Sequence, residues 1–293
     1  MQQIIAYCRE SGSFWMLLAS LSFAIMGVFV KLGSAHFSTA ELVFYRCAAG
    51  LIFIALMILP QGKTLKVSYL AFKMHLSRSL AGFIALMLYF YAISQLTLPM
   101  AVTLNYTSPL FFVLITMIRQ KQWPHWQLLG SIALGFVGVV SLLQPTMAAE
   151  QWLGGLMGLL SGLLASVAYM NVSELGKIGE PEWRTVFYFS LISTLGAGFF
   201  MLLQAEPLLR PSVHDGLIVL GMGSCATLAQ LAMTRAYRKG RSLVMVSLSY
   251  LTVLFSTLLS WMVWGDAPTS LAIVAMLMIV FAGIGARSSR TSS

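Results

Sequence analysis

AISQLTLPMAVTLNYTSPL, residues Ala92–Leu110, lies without a gap on AYRKGRSLVMVSLSYLTVL, residues Ala236–Leu254. Ala92, Val102, Leu104, Tyr106 and Leu110 meet Ala236, Val246, Leu248, Tyr250 and Leu254. A second match sets VFY at Val43–Tyr45 on VFY at Val186–Tyr188. Both matches fall in long apolar runs, so the meaning of the repeat depends on what those runs are.

Composition answers that first. Of 293 residues, 58% are hydrophobic and 9% charged, with mean hydropathy +0.84. Soluble domains carry about 25% charged residues, so this chain cannot present an ordinary wet surface and reads as a polytopic membrane protein. Runs of roughly 20 mostly apolar residues predict ten spans, at about 14–34, 39–59, 75–96, 98–118, 123–144, 152–175, 182–204, 213–237, 240–263 and 268–286. The loops are short and often carry proline: Pro60, Pro145, Pro181, Pro207, Pro211 and Pro268. All seven tryptophans fall at predicted span ends, where rings sit at headgroup level. The run from Phe14 to Val30 is long for a signal-peptide core and lacks a good cleavage site after it, so it reads as an uncleaved first span.

Charge sets the orientation. With both termini cytoplasmic, 15 of the 18 Lys and Arg residues fall in inside segments, Arg78 at the start of the third span among them. Only Lys31 and Arg210 fall outside, and Arg46 lies within span 2. This positive-inside bias accounts for the net charge of +9 without nucleic acid. Cys8, Cys47 and Cys225 are scattered, which argues against a disulfide scaffold, and the four histidines stand alone near span ends. No nucleophile–base pair or metal-ligand cluster emerges, so no enzyme, catalytic residue, cofactor or metal is expected. GMGSCA at Gly221–Ala226 mimics a dinucleotide fingerprint, but no strand precedes it.

The two matches pair span 2 with span 7 and span 4 with span 9, as a five-plus-five duplication demands. Five is odd, so the second unit enters the membrane the other way up. The predicted fold class is therefore an all-α polytopic membrane protein of ten transmembrane helices in two inverted five-helix repeats, residues 1–146 and 147–293. Inverted repeats are the architecture of secondary transporters, with substrate near the midplane at the repeat interface.

Candidate site residues follow from polarity inside spans. Arg46 lies about 10 Å in from the outer end of span 2 at 1.5 Å rise per residue. A charge at mid-membrane costs about 2.5–3.5 kcal/mol on insertion scales. Arg46 either snorkels to the outer headgroups, or faces the bundle, where it anchors an outer gate or meets an anionic substrate group. Glu41 is off its face and is expected to meet Lys31 across the short loop; both are assigned gating or structural roles. Span 4 carries Thr103, Asn105, Tyr106, Thr107 and Ser108, then Pro109, also assigned a gating or structural role, which removes a backbone hydrogen bond, kinks the helix and frees a carbonyl for a cavity. The matching positions in span 9 are Ser249, Tyr250 and Thr252. Two polar segments at corresponding positions point to a binding site; the competing reading is polar helix packing, worth about 0.6 kcal/mol per bond. Tyr89, Tyr91 and Gln95 in span 3, Tyr169 and Asn171 in span 6, and Gln230 in span 8 extend the set. The substrate-binding candidates are Arg46, Tyr91, Asn105, Tyr106, Ser108, Tyr169, Gln230, Ser249 and Tyr250. Gly154, Gly158 and Gly162 form a stripe that permits close helix approach. No carboxylate falls mid-span, which leaves a proton-coupling route only through Glu41.

The chain resembles the EamA branch of the drug/metabolite transporter superfamily along nearly its whole length, as two units. The residues that carry this are LASLSFAIMGVFVKL in span 1, ELVFYRCAAGLI in span 2, AISQLTLPMAVTLNYTSPLF across spans 3 and 4, and AYRKGRSLVMVSLSYLTVLFSTLLSWMVWGD across spans 8 and 9. The family often ends span 9 with Gly-Glu where this chain has Gly265-Asp266, and the first-half counterpart here is Gln122. The resemblance implies ten helices around a cavity lined mainly by spans 1, 3, 4, 6, 8 and 9, working by alternating access. The expected function is a secondary transporter of small amphipathic metabolites, amino-acid-like compounds or amines, exporting across a bacterial inner membrane. Uptake of a vitamin, nucleoside-like compound or cofactor, and lipid flipping, are the alternatives. The expected partners are a small-molecule substrate and the lipid bilayer, with no nucleic acid and a homo-oligomer left open.

Overall fold

Every regular element of the computed structural model is helical; it describes residues 11–120, 126–143, 151–204 and 212–265, with 270, 271, 273, 274, 277, 278 and 281. In chain order the helices are α1 (Gly12–Gly33), α2 (Thr39–Ile58), α3 (Tyr69–Gln95), α4 (Leu98–Asn105), α5 (Ser108–Gln120), α6 (Trp126–Leu143), α7 (Trp152–Lys177), α8 (Glu182–Gln204), α9 (Val213–Lys239), α10 (Ser242–Leu248) and α11 (Leu251–Trp264). Among the described residues eight segments are long and apolar enough to cross a membrane: α1, α2, α3, the α4–α5 pair, α7, α8, α9 and the α10–α11 pair. They correspond to predicted spans 1–4 and 6–9. α6 occupies predicted span 5, with Leu129–Gly138 as its apolar stretch. Asp266, Gln122 and most of predicted span 10 lie outside the described residues. Leu202, Val213 and Met262 are largely exposed, as residues facing lipid would be.

Caps decide where the helices begin, and they correct two expectations. At the start of α2 the Ser38 hydroxyl accepts from the Glu41 amide (3.3 Å) while the Glu41 carboxylate accepts from the Ser38 amide (2.8 Å), a reciprocal capping box. Glu41 is therefore committed to its own helix end and does not meet Lys31. Lys31 instead donates to the carbonyls of Ile93 (2.9 Å) and Leu96 (2.7 Å), where a cation offsets the partial negative charge at the C-terminus of α3. α3 begins at Tyr69, six residues before the predicted start, because the Ser68 hydroxyl accepts from the Ala71 amide (3.2 Å). The early start carries Arg78 roughly 14 Å into the helix at 1.5 Å per residue, where it is buried.

Two spans are interrupted, and at matching positions. Between α4 and α5 the chain turns at Tyr106 (φ −81°, ψ 15°) and Thr107. Pro109 sits in the first turn of α5, where its missing N–H costs nothing, so it starts a helix and does not kink one. Having no N–H, it leaves the Asn105 carbonyl without its i→i−4 partner. The Thr107 hydroxyl donates to the Leu104 carbonyl at 2.7 Å. Between α10 and α11 no proline intervenes: Ser249 (φ −64°, ψ −21°) and Tyr250 (φ −57°, ψ −22°) tighten the helix. Tyr250, Thr252 and Val253 each donate to the carbonyl three residues back, a short 3₁₀ stretch of the kind that marks a hinge or strain. Tyr106 and Tyr250, the pair that the sequence repeat aligns, stand at the two interruptions and share one core cluster.

The most extensive contacts join α1 to α9, α3 to α7 and α2 to α8. Next come α2 with α9, α3 with α8 and α1 with α11, then α7 with α4 and α5. The glycine stripe of α7 makes the last of these possible. A Cβ on Gly158 would lie 2.9 Å from Leu104 Cβ, and one on Gly162 would lie 2.8 Å from the Asn105 carbonyl oxygen.

Candidate functional site

The interruption in the fourth span delivers its polar residues to the interior. Asn105 ends α4, and its Nδ2 donates to Ser161 Oγ on α7 at 2.9 Å. Asn105 and Tyr106 then face a cavity of about 70 Å³ at the centre of the bundle. Arg46 (α2), Arg78 and Tyr89 (α3), Tyr169 (α7), Phe189 (α8) and Gln230 (α9) complete its polar and aromatic wall. Five of the nine sequence candidates, Arg46, Asn105, Tyr106, Tyr169 and Gln230, thus meet at one place.

The other four do not reach it. Tyr91 is two residues beyond Tyr89, about 200° around the helix, so it points away while Tyr89 lines the wall. Ser108 is buried at the start of α5, away from the cavity. The Ser249 hydroxyl turns back onto the Val246 carbonyl (2.6 Å). Tyr250 is fully buried in the core cluster it shares with Tyr106.

Arg46 does not snorkel. It is 3% exposed, and its guanidinium carbon stands 5.2 Å from the centroid of the Phe189 ring. Arg78, 2% exposed, lies over the same ring at 3.8 Å and donates from Nη2 to Gln230 Oε1 at 2.8 Å. The two guanidinium carbons are therefore no more than 9.0 Å apart. Two unit charges at that distance repel by about 2 kcal/mol at an effective dielectric constant near 20. No carboxylate among the described residues pairs with either one. Glu174 pairs with Lys177, Glu180 with His75 and Arg184, Glu182 with Arg238, and Asp215 with His36, while Glu41 caps α2. Arg46 Nε, Arg78 Nε and Arg78 Nη1 are buried donors without a partner. Cation–π contact, one amide and the Cys47 sulfur, which accepts from Arg46 Nη1 at 3.5 Å, thus stand where two counter-ions would be expected.

Arg78 was missed by its position in the sequence. Lys73, His75 and Arg78 look like one basic edge before an apolar run. Gly82, one turn on, is the signal that could have found it: a Cβ there would lie 2.8 Å from Arg78 Nη1 and 3.0 Å from Phe189. Arg46 and Phe189, both beside that space, each directly follow one of the two VFY triplets.

A second cavity, of about 580 Å³, opens at the start of α3, the ends of α5 and α7 and the start of α10, with Met74, Thr116, Arg119, Asn171, Glu174 and Arg241 on its wall. A volume of 300–1,000 Å³ is the range of small-molecule sites. Three rings link the two spaces. Phe112, on the wall of the large cavity, stacks with Tyr237 (centroids 6.3 Å, planes at 22°). Tyr237 stacks in turn with Tyr169 (6.0 Å, 23°), on the wall of the small one. The ring column belongs to three helices, α5, α9 and α7.

Residues 10–144 match the EamA-like transporter family. The likeness to that family is carried by this part of the chain. The protein is a transporter with several membrane-spanning helices, not an enzyme. It is 28% identical to the pseudopaline exporter CntI of Pseudomonas aeruginosa over 94% of this chain and 95% of that protein. It is 22% identical to a riboflavin transporter of Rhizobium johnstonii, over 93% of this chain and 89% of that one. A solved crystal structure superposes with TM-score 0.79 at 19% identity, covering 94% of this chain and 96% of the other; it shares the fold.

Proposed function

We propose that this protein is a secondary transporter that exports small amphipathic metabolites, amino-acid-like in size and polarity, across a bacterial inner membrane by alternating access. The observation that carries the reading is the pair of interrupted spans. Helix breaks at corresponding positions of two halves, with a buried polar cavity beside one of them, are how transporters build a midplane site. Ten helices in two inverted repeats, divided near residue 146, fit this arrangement. In support, the family match ends at residue 144. The helix contacts also pair as a two-fold exchange requires: span 1 with span 8 and span 3 with span 6, span 2 with span 7, span 9 with span 1 and span 4 with span 6.

Arg46, Asn105, Tyr106, Tyr169 and Gln230 are the proposed substrate contacts, joined by Arg78 and Tyr89. The large cavity, rimmed by Arg119 and Lys177, lies on the side that the positive-inside bias assigns to the cytoplasm. The likeness to the pseudopaline exporter favours the outward direction.

The test compares metabolites in medium and cells for strains without the protein, with wild type, and with Arg46→Ala at matched membrane abundance. A compound that accumulates outside only with wild type establishes export and names the substrate. Depletion from the medium would reverse the direction. If no compound moved, metabolite transport would give way to lipid handling.

A further inference from the structure

Two arginines buried side by side on one phenylalanine, with no carboxylate beside them, are out of keeping with the rest of the molecule. Each of the five described ion pairs and the capping box at Glu41 gives its carboxylate a partner. Glu10, Glu150, Glu206 and Asp266 are the acids outside the described residues. A buried charge without its counter-ion destabilises a fold, and an apolar residue of the same size in its place is neutral or better. Arg46 and Arg78 therefore do not serve the stability of the empty protein.

From this geometry we infer that the Arg46–Arg78 pair is the receptor for the carboxylate of the transported compound, which makes the substrate class organic acids, amino acids and other carboxylate-bearing zwitterions. The inference rests on the transporter reading above and gives it a substrate class. The unpartnered Nε and Nη1 of Arg78 and Nε of Arg46 are donors on planar forks, the geometry that matches a carboxylate's two oxygens. Phe189 stands against both guanidinium groups, and Arg46 Nη1 donates to Cys47 Sγ at 3.5 Å, which leaves those three nitrogens as the donors still to be met. Gln230 fixes the rotation of Arg78 by accepting from Nη2. The 70 Å³ space between them suits one ionised head group and not a whole metabolite. The remainder of the compound would extend past Tyr169, along the ring column, toward the 580 Å³ cavity. A carboxylate arriving here cancels the repulsion between the two arginines, so binding energy comes as much from relieving the empty site as from new hydrogen bonds.

The test uses the full chain in nanodiscs of zwitterionic lipid, with thermal unfolding as the readout of binding. The probes are three matched pairs: succinate and succinamide, hippurate and hippuramide, and N-acetylphenylalanine and its amide. The expected result is that at least one acid protects wild type with about tenfold tighter half-saturation than its amide, and that sodium chloride does not reproduce the effect. In Arg46→Met and Arg78→Met the preference for acid over amide disappears, while the midpoint without probe stays at or above wild type. Arg78→Lys keeps the charge and loses the fork, so it folds and retains a weakened preference. Amides protecting as well as acids, chloride protecting as well as acids, or no acid protecting at millimolar concentration would overturn the inference. So would an acid preference that survives in both Met variants, or Met and Lys variants that all fail to fold, because the arginines would then be holding the structure. Acid binding without movement of any compound in cells would sink the transporter reading alone. Movement of an uncharged compound without acid preference would sink this inference alone.

Discussion

Replacing Gly162 with alanine adds one methyl group where α7 meets the interruption in the fourth span. The new Cβ would lie 2.5 Å from Thr107 Oγ1, 2.8 Å from the Asn105 carbonyl oxygen and 2.9 Å from the Leu104 carbonyl oxygen. Two of these three atoms are backbone, so the contact cannot be relieved by turning a side chain. Overpacking of this kind costs about 1–3 kcal/mol, against a helix-propensity gain of up to about 1 kcal/mol for Gly→Ala. Relative to Gly130→Ala, which keeps the propensity gain, the loss of about 1–3 kcal/mol corresponds to a melting midpoint lower by roughly 2–12 °C for a chain of this size. The assay is thermal unfolding of the purified protein in one detergent, with Gly130→Ala as the internal control. Gly130 is exposed and a Cβ there meets nothing within 4 Å, so that variant should match or exceed wild type. A Gly162→Ala protein as stable as Gly130→Ala would refute the close approach of α7 to the turn at Tyr106, and with it the placement of Asn105 on the cavity wall.

Two further outcomes can be checked directly. Tyr237→Ala removes the middle ring between Phe112 and Tyr169 and should join the two cavities; in a background lacking the native cysteines, an Ala168→Cys reporter on the small-cavity wall should then react with a water-soluble maleimide several times faster than with Tyr237 present. Lys31→Met leaves the Ile93 and Leu96 carbonyls without their donor and should destabilise the protein by about 1–3 kcal/mol, with faster hydrogen exchange over residues 93–96; unchanged exchange there would show that Lys31 does not fasten the end of α3.

Much of the membrane architecture was legible because it rests on length and hydropathy, which the chain writes plainly. The interruption in the fourth span could be read from Pro109, although that proline proved to start a helix and not bend one. The interruption in the ninth had no local signal, since Ser249 and Tyr250 adopt ordinary helical-region angles; only the alignment of Tyr106 with Tyr250 pointed there. The candidate site was harder. Polarity alone could not separate Tyr89 from Tyr91, because facing is a matter of helix phase, and the phase of α3 depends on neighbours distant in sequence. Arg78 was hidden by the assumption that a basic residue near a span end sits in water. Ser68, a good N-cap ahead of a possible longer helix, was the cue that the helix starts earlier and that Arg78 lies inside. The expected meeting of Glu41 with Lys31 failed because each had a nearer backbone partner at a helix terminus.

The main helix contacts have a consequence for how the molecule is made. α1 packs on α9, α2 on α8 and α3 on α7, so each of the first three helices finds its principal neighbour later in the chain. Phe189 and Gln230, the cover over Arg46 and Arg78, also come from the later half. While only the first spans have left the ribosome, two arginines therefore stand in the bilayer with neither ring nor amide against them. The early chain must wait, with its cationic helices held near water or the insertion machinery, until the later spans close over it. Assembly thus depends on late spans closing over early ones, and a chain stopped before α8 would leave both arginines uncovered.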